Sequence, residues 1–117
     1  MKKIVLVDDY ADWLTVLKET IEHFNDAKCV KFSNPIEALN YVRKHKNVDI
    51  IITDYQMPQM DGFTLAKKIL ESYPNKRVII SSGHDKTTLG YLLKKHGLEG
   101  KAETICKDSL EFYKNLV

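Results

Sequence analysis

The chain has little of what most specialised proteins are built from. It carries only two cysteines, Cys29 and Cys106, far apart and with no C-x-x-C companion. That excludes a disulfide scaffold and a thiolate metal centre, and leaves two small apolar side chains expected in the core. Five glycines and three prolines in 117 residues leave no linker, low-complexity tract or internal repeat, so residues 1–117 are expected to form one domain. No apolar stretch approaches the roughly 18 residues of a membrane span, which argues against membrane insertion. Met1-Lys2-Lys3 precedes only a short apolar run and then acids, unlike a secretory signal. The net charge of +2 is too small to suggest direct nucleic-acid binding. Basic clusters such as Arg43-Lys44-His45-Lys46 fall in helical patterns and read as solvated helix faces. The expectation is a cytoplasmic domain.

Against this plain background, apolar runs alternate five times with helical-period segments, the signature of a βα-repeated fold with a parallel sheet. The pattern predicts strands at 3–7, 28–32, 49–53, 77–81 and 102–106. It predicts helices at 12–24, 35–46, 62–72, 86–96 and 109–116. Leu14, Leu17, Ile21 and Phe24 share one face of the first helix. Ser33-Asn34-Pro35 starts the second, and Asp108-Ser109-Leu110-Glu111 reads as a capping box for the last. Leu110, Tyr113 and Leu116 lie on one side of that last helix.

Ile4–Val7, Ile50–Ile52 and Val78–Ile80 are continuous apolar runs, as central strands covered on both faces require. Lys31 breaks the second strand and the fifth is half polar, so both belong at edges. Right-handed crossovers then give a flavodoxin-like, doubly wound α/β sheet of five parallel strands in the order 2-1-3-4-5, with five helices. Cys29 and Cys106 fall on opposite edges, roughly 19 Å apart. A disulfide needs Cα atoms within about 7 Å and is ruled out.

This order has its switch point between the first and third strands, where ligands bind beyond the carboxyl ends. The first strand runs into Asp8-Asp9 and the third into Asp54. The fourth ends at Ser81-Ser82-Gly83-His84 and the fifth at Lys107. Three carboxylates against one ammonium leave a net charge that a divalent cation neutralises. Hard oxygen ligands suit Mg²⁺ or Mn²⁺ better than zinc. A cation, a lysine and a hydroxyl around an exposed carboxylate make a site for a phosphoryl group, with Asp54 able to attack phosphorus.

Val7-Asp8-Asp9, Asp54-x-x-Met57-Pro58-x-Met60-Asp61-Gly62, Ser82-Gly83 and Lys107 together resemble the CheY-like receiver domain of bacterial two-component response regulators. The resemblance covers essentially the whole chain, including Glu37-Ala38-Leu39. It implies Asp54 as phosphoacceptor, and Asp8, Asp9, Asp54 and the Gln56 backbone carbonyl as metal ligands. It also implies Ser82 as the switch hydroxyl and Lys107 as counter-charge to the phosphoryl group. The implied donor is a histidine kinase or histidine phosphotransfer protein. The implied output is a change of contacts with a downstream protein on the face formed by the fourth helix, fifth strand and fifth helix.

Other roles are available to the same residues. Asp8 or Asp9 could cap the first helix, although Asp12 is better placed to do so. Ser81 could stand in for Ser82, and His84 reads as a loop residue tuning access to the site. Two family features are missing. Thr104 stands where an aromatic usually couples phosphorylation to the output face, leaving Tyr91 and the fourth helix as another route. Asp108 follows the lysine in place of proline, and a trans peptide is expected there. No segment remains for a DNA-binding or enzymatic output module, so the expectation is a domain acting alone or an N-terminal receiver. The rival enzyme reading is a Mg²⁺-dependent phosphatase working through an aspartyl phosphate. It lacks a second acid at position 56, which is Gln, and room for a substrate cap. A flavodoxin-like cofactor binder would need a phosphate loop where Asp8, Asp9 and Asp12 would repel one.

Overall fold

The computed structural model describes residues 1–117. In chain order it contains β1 (Lys2–Val7), α1 (Ala11–Phe24), β2 (Ala27–Phe32), α2 (Pro35–Lys44) and β3 (Ile50–Asp54). These are followed by α3 (Gly62–Ser72), β4 (Arg77–Ser82), α4 (Lys86–Lys95), β5 (Glu103–Cys106) and α5 (Leu110–Lys114). All strand pairs are parallel and the order is β2-β1-β3-β4-β5, as the strand texture predicts.

The strand period of two divides the core into two layers. Val5, Val7, Ile51, Val78 and Ile80 face α2, α3 and α4, where Ala38, Leu39, Leu65, Ile69 and Leu89 meet them. Ile4, Leu6, Ile50, Ile52 and Ile79 face α1 and α5, packing on Leu14, Leu17, Ile21, Tyr113 and Leu116. The central strands are thus apolar on both faces, whereas β2 and β5 are partly exposed edges. Cys29 is buried on β2 and Cys106 half-buried on β5, both as free thiols. Burial, aided by the charge of Glu22, pushes the Cys29 thiol up to about 12. No helix is long and apolar enough to cross a membrane.

Local chemistry explains most helix starts. Asn34 accepts from the Ile36 N–H at 2.8 Å with Pro35 in the first turn, Asp61 accepts from Thr64 N–H at 2.9 Å, and Asp85 accepts from Thr88 N–H at 2.7 Å. Two expectations need correction. Asp12 does not cap α1: the capping position is Tyr10, which makes no side-chain cap bond, and Asp12 sits inside the first turn. The chain leaves β1 so abruptly that Asp8 Oδ1 takes the Tyr10 N–H instead, at 2.9 Å.

The capping box at 108–111 does not form either. Ser109 caps α5 in name only, at φ −81° and ψ 70°, outside the extended geometry that aims a cap side chain at the helix N–H groups. Glu111 pairs with Lys114 at 3.3 Å, and α5 is shorter than the predicted 109–116. On α1, Phe24 ends the helix 52% exposed rather than on the buried stripe. No peptide bond is cis, so the Lys107–Asp108 bond is trans as expected.

Candidate functional site

The strand period fixes where each strand end delivers its side chain. Asp8 follows Leu6 by two residues, Asp54 follows Ile52, and Ser81 follows Ile79, so all three project to the α1/α5 face of the sheet. Asp54 is paired in register with Ser81. Asp8, Asp9 and Asp54 present carboxylate oxygens that all lie within 4.8 Å of one another. Asp8 is buried, its neighbour Asp9 is exposed, and Asp54 is 12% exposed at its side chain. That gradient opens the cluster to solvent on one side and backs it with core on the other.

Lys107 enters from β5, its N–H donating to the Ser82 carbonyl at 3.0 Å. Its Nζ lies 2.8 Å from Asp8 Oδ2 and 3.4 Å from Asp54 Oδ1. The closer approach is a charge contact without directed hydrogen-bond geometry, so Asp8 Oδ2 stays buried with no aligned donor. Burial raises the pKa of Asp54 above the usual carboxylate value, and the charge of Asp8 adds to the rise. Lys107 and the Tyr55 N–H oppose it. Partial burial disfavours the Lys107 ammonium, yet its contacts with Asp8 and Asp54 outweigh this and raise its pKa. The site is over-supplied with negative charge, and one ammonium does not relieve it.

The loop after Asp54 is braced on both sides. Tyr55 N–H donates to the Ser81 carbonyl at 3.0 Å, and Gly62 N–H donates to the Tyr55 carbonyl at 2.7 Å. Gly62 is required here: a Cβ on it would collide with the Asp54 carbonyl oxygen. Gln59 takes a positive φ of 74°, which tightens the turn. Gln56 is exposed, and its carbonyl accepts no hydrogen bond from the chain. Three carboxylates and a free carbonyl are a hard-oxygen donor set that fits Mg²⁺ or Mn²⁺. The residues therefore suit the cation that the sequence resemblance implies.

Ser82 sits one residue further along β4 than Ser81 and is buried. Its Oγ lies 2.8 Å from His84 Nδ1 and accepts from the His84 N–H at 3.1 Å. The His84 ring in turn meets Tyr55 edge-on at 5.6 Å. The Ser82 hydroxyl is thus engaged with His84, and His84 is half-buried rather than a free loop residue. Thr104 pairs in register with Ile80, which places it on the α4 side of the sheet. Tyr91 on α4 is 64% exposed.

The sequence pattern places Tyr113 on the inner side of α5 but assigns it no chemistry. Its ring is wholly buried, and its hydroxyl has no hydrogen-bond partner. Burial pushes the phenol up to about 12; the Ser81 side chain opposes the rise, while the charges of Asp8 and Asp54 add to it. Ser81 is close enough to act on the phenol without making an aligned hydrogen bond to it. In sequence, nothing distinguishes this tyrosine from an ordinary core aromatic.

Comparisons with known proteins point to one family. The family described as the response regulator receiver domain matches residues 4–103. A chemotaxis protein CheY homolog from Campylobacter jejuni is 30% identical over 67 residues, which are 57% of this chain and 52% of that protein. A protein-glutamate methylesterase/protein-glutamine glutaminase from Rhodospirillum rubrum is 35% identical over 82 residues, 70% of this chain but 22% of that protein. Among solved structures, the receiver domain of Francisella response regulator 1452 superposes with a TM-score of 0.78 at 26% identity. That match covers 99% of this chain and 95% of the other. The chain spans about half or less of the length of the curated relatives it matches.

Proposed function

Since the chain belongs to the response regulator receiver domain family, we propose that it is a phosphorylation-dependent switch of a two-component system or phosphorelay, cytoplasmic, with Asp54 as the phosphoacceptor. The observation that carries this reading is the Asp8, Asp9 and Asp54 cluster with Lys107 set among the strand ends. One carboxylate oxygen of Asp54 attacks phosphorus. An O–P bond forms as the P–N bond of a donor phosphohistidine breaks, and the electron pair leaves on the imidazole nitrogen. The donor is a sensor histidine kinase or a histidine phosphotransfer protein.

Asp8, Asp9, Asp54 and the Gln56 carbonyl would hold Mg²⁺, with Mn²⁺ as a substitute. When bound, the cation offsets the charge of the carboxylates and of the transferring phosphoryl oxygens. Lys107 supplies the protein's own positive charge at the same place. The acyl phosphate adds nearly two negative charges and new acceptor oxygens, and Ser82 is the hydroxyl assigned to meet them. Output is a change in protein contacts, and the family's usual surface corresponds to α4, β5 and α5.

Transfer from a labelled phosphohistidine protein in Mg²⁺ tests the reading. Label should move to the wild-type chain. Equal transfer to Asp54→Asn would refute the assignment. Rapid steady-state hydrolysis of phosphomonoesters would favour the phosphatase reading instead.

A further inference from the structure

Tyr113 is the one fully buried side chain on α5 that carries a polar atom, and that atom has no partner. Its ring packs in the layer with Leu6, Ile52 and Ile79. Two residues on from each of these, on the same face, stand Asp8, Asp54 and Ser81. The phenol is therefore buried on the same face of the sheet as Asp8, Asp54 and Ser81. A buried hydroxyl left unpaired is costly, and a partner gained in another state of the protein would account for it.

We propose that Tyr113 is a positioning residue that links the acid cluster to α5, its hydroxyl donating a hydrogen bond into the cluster when Asp54 carries a phosphoryl group. This rests on Asp54 being the phosphoacceptor. The phosphoryl group brings acceptor oxygens and extra negative charge to a face that already has too few donors. Lys107 is committed to Asp8 and Asp54. Ser82 follows Ile80 by two residues and so belongs to the α4 side, not to the α1/α5 face. Ser81, Trp13 and Tyr113 are the donors left on the α1/α5 face, and of these Tyr113 is the one on α5. Because Tyr113 belongs to α5, a bond made by its hydroxyl holds that helix more firmly against the sheet.

The link also accounts for Thr104. An aromatic at that position would lie on the α4 side, in the layer of Ile80. Tyr113 lies on the opposite side, so the change of state leaves the site through α5 instead of through α4.

The test uses the whole chain with Mg²⁺ and beryllofluoride, a stable stand-in for the phosphoryl group. Bound fluoride is followed by ¹⁹F NMR, Tyr113 by ring-labelled tyrosine, and α5 by amide hydrogen exchange. Tyr113→Phe keeps the ring volume and removes only the hydroxyl. Loading should shift the Tyr113 ring resonance and slow exchange in α5 about fivefold in wild type. In Tyr113→Phe the bound ¹⁹F signal should persist while the slowing is lost. If fluoride binds and the Tyr113 resonance stays put, or α5 is protected equally in both proteins, the link is wrong while Asp54 chemistry stands. If wild type shows no bound fluoride, the receiver reading fails and the link with it. The wild-type resonance decides the matter even if the variant does not fold.

Discussion

Lys107 sits closer to Asp8 than to Asp54: its Nζ is 2.8 Å from Asp8 Oδ2 and 3.4 Å from Asp54 Oδ1. The ammonium is thus a resident cation, shared by buried Asp8 and by Asp54. Replacing it in Lys107→Ala leaves three acids with no local counter-charge. The variant should be less stable by ~1–3 kcal/mol in urea, between the exposed and buried limits for an ion pair. It should bind Mn²⁺ more tightly than wild type, and Mg²⁺ should restore part of its stability. Phosphoryl transfer should slow by about 100-fold or more, because a charge-stabilising group is gone. Unchanged stability together with weaker Mn²⁺ binding would contradict the arrangement.

Asp54→Asn should stabilise the protein by about 1 kcal/mol at neutral pH, since it removes an ion that burial and Asp8 both disfavour. The sign follows from linkage. The folded pKa of Asp54 is raised, so wild type is relatively most stable below the unfolded pKa of about 4 and loses that contribution as pH rises through the folded value. The advantage of the variant should therefore shrink as pH falls. Urea midpoints of both proteins across pH measure it, and a less stable variant at neutral pH would contradict it.

The acid cluster is legible in the sequence because buried strands announce themselves. Ile4–Val7 and Ile50–Ile52 are apolar on both faces, so the first polar residues at their ends, Asp8-Asp9 and Asp54, fall at the sheet's carboxyl edge. The same logic places the two serines after Val78–Ile80. What stays hidden depends on angles that no periodicity encodes. Whether Asp12 or Asp8 receives the N–H at the start of α1 turns on how sharply the chain leaves β1. Whether Ser109 can cap α5 turns on one ψ value. Ser82 and Ser81 are adjacent in sequence yet serve opposite faces of the sheet, Ser82 bonded to His84 and Ser81 on the Tyr113 side. The inner face of α5 is legible, but not that the Tyr113 hydroxyl is buried without a partner.

Gly62→Ala should cost ~1–3 kcal/mol and disturb the site, because its Cβ would strike the Asp54 carbonyl, a backbone atom that cannot step aside cheaply. Thermal unfolding reads the loss of stability and Mn²⁺ affinity reads the disturbance. A variant equal to wild type in both would mean that the loop is looser than its two bracing hydrogen bonds imply.

Asp85→Ala should weaken α4 selectively. The Thr88 backbone N–H holds the Asp85 carboxyl below the usual carboxylate value. A depressed folded pKa contributes stability above the unfolded value and loses it as pH falls through the folded one. The stability gap between wild type and variant should be open at neutral pH and close in acid. Hydrogen exchange should locate the change at the start of α4. A gap that widens in acid would contradict the cap.

The most direct test of the central claim weighs the protein after treatment with acetyl phosphate and Mg²⁺. Wild type should gain the mass of one phosphoryl group, in a bond labile to hydroxylamine as an acyl phosphate is, and lose the gain when Mg²⁺ is chelated beforehand. Asp54→Asn should gain nothing. An unmodified wild type, or an equal gain by Asp54→Asn, would contradict the assignment of Asp54 as phosphoacceptor.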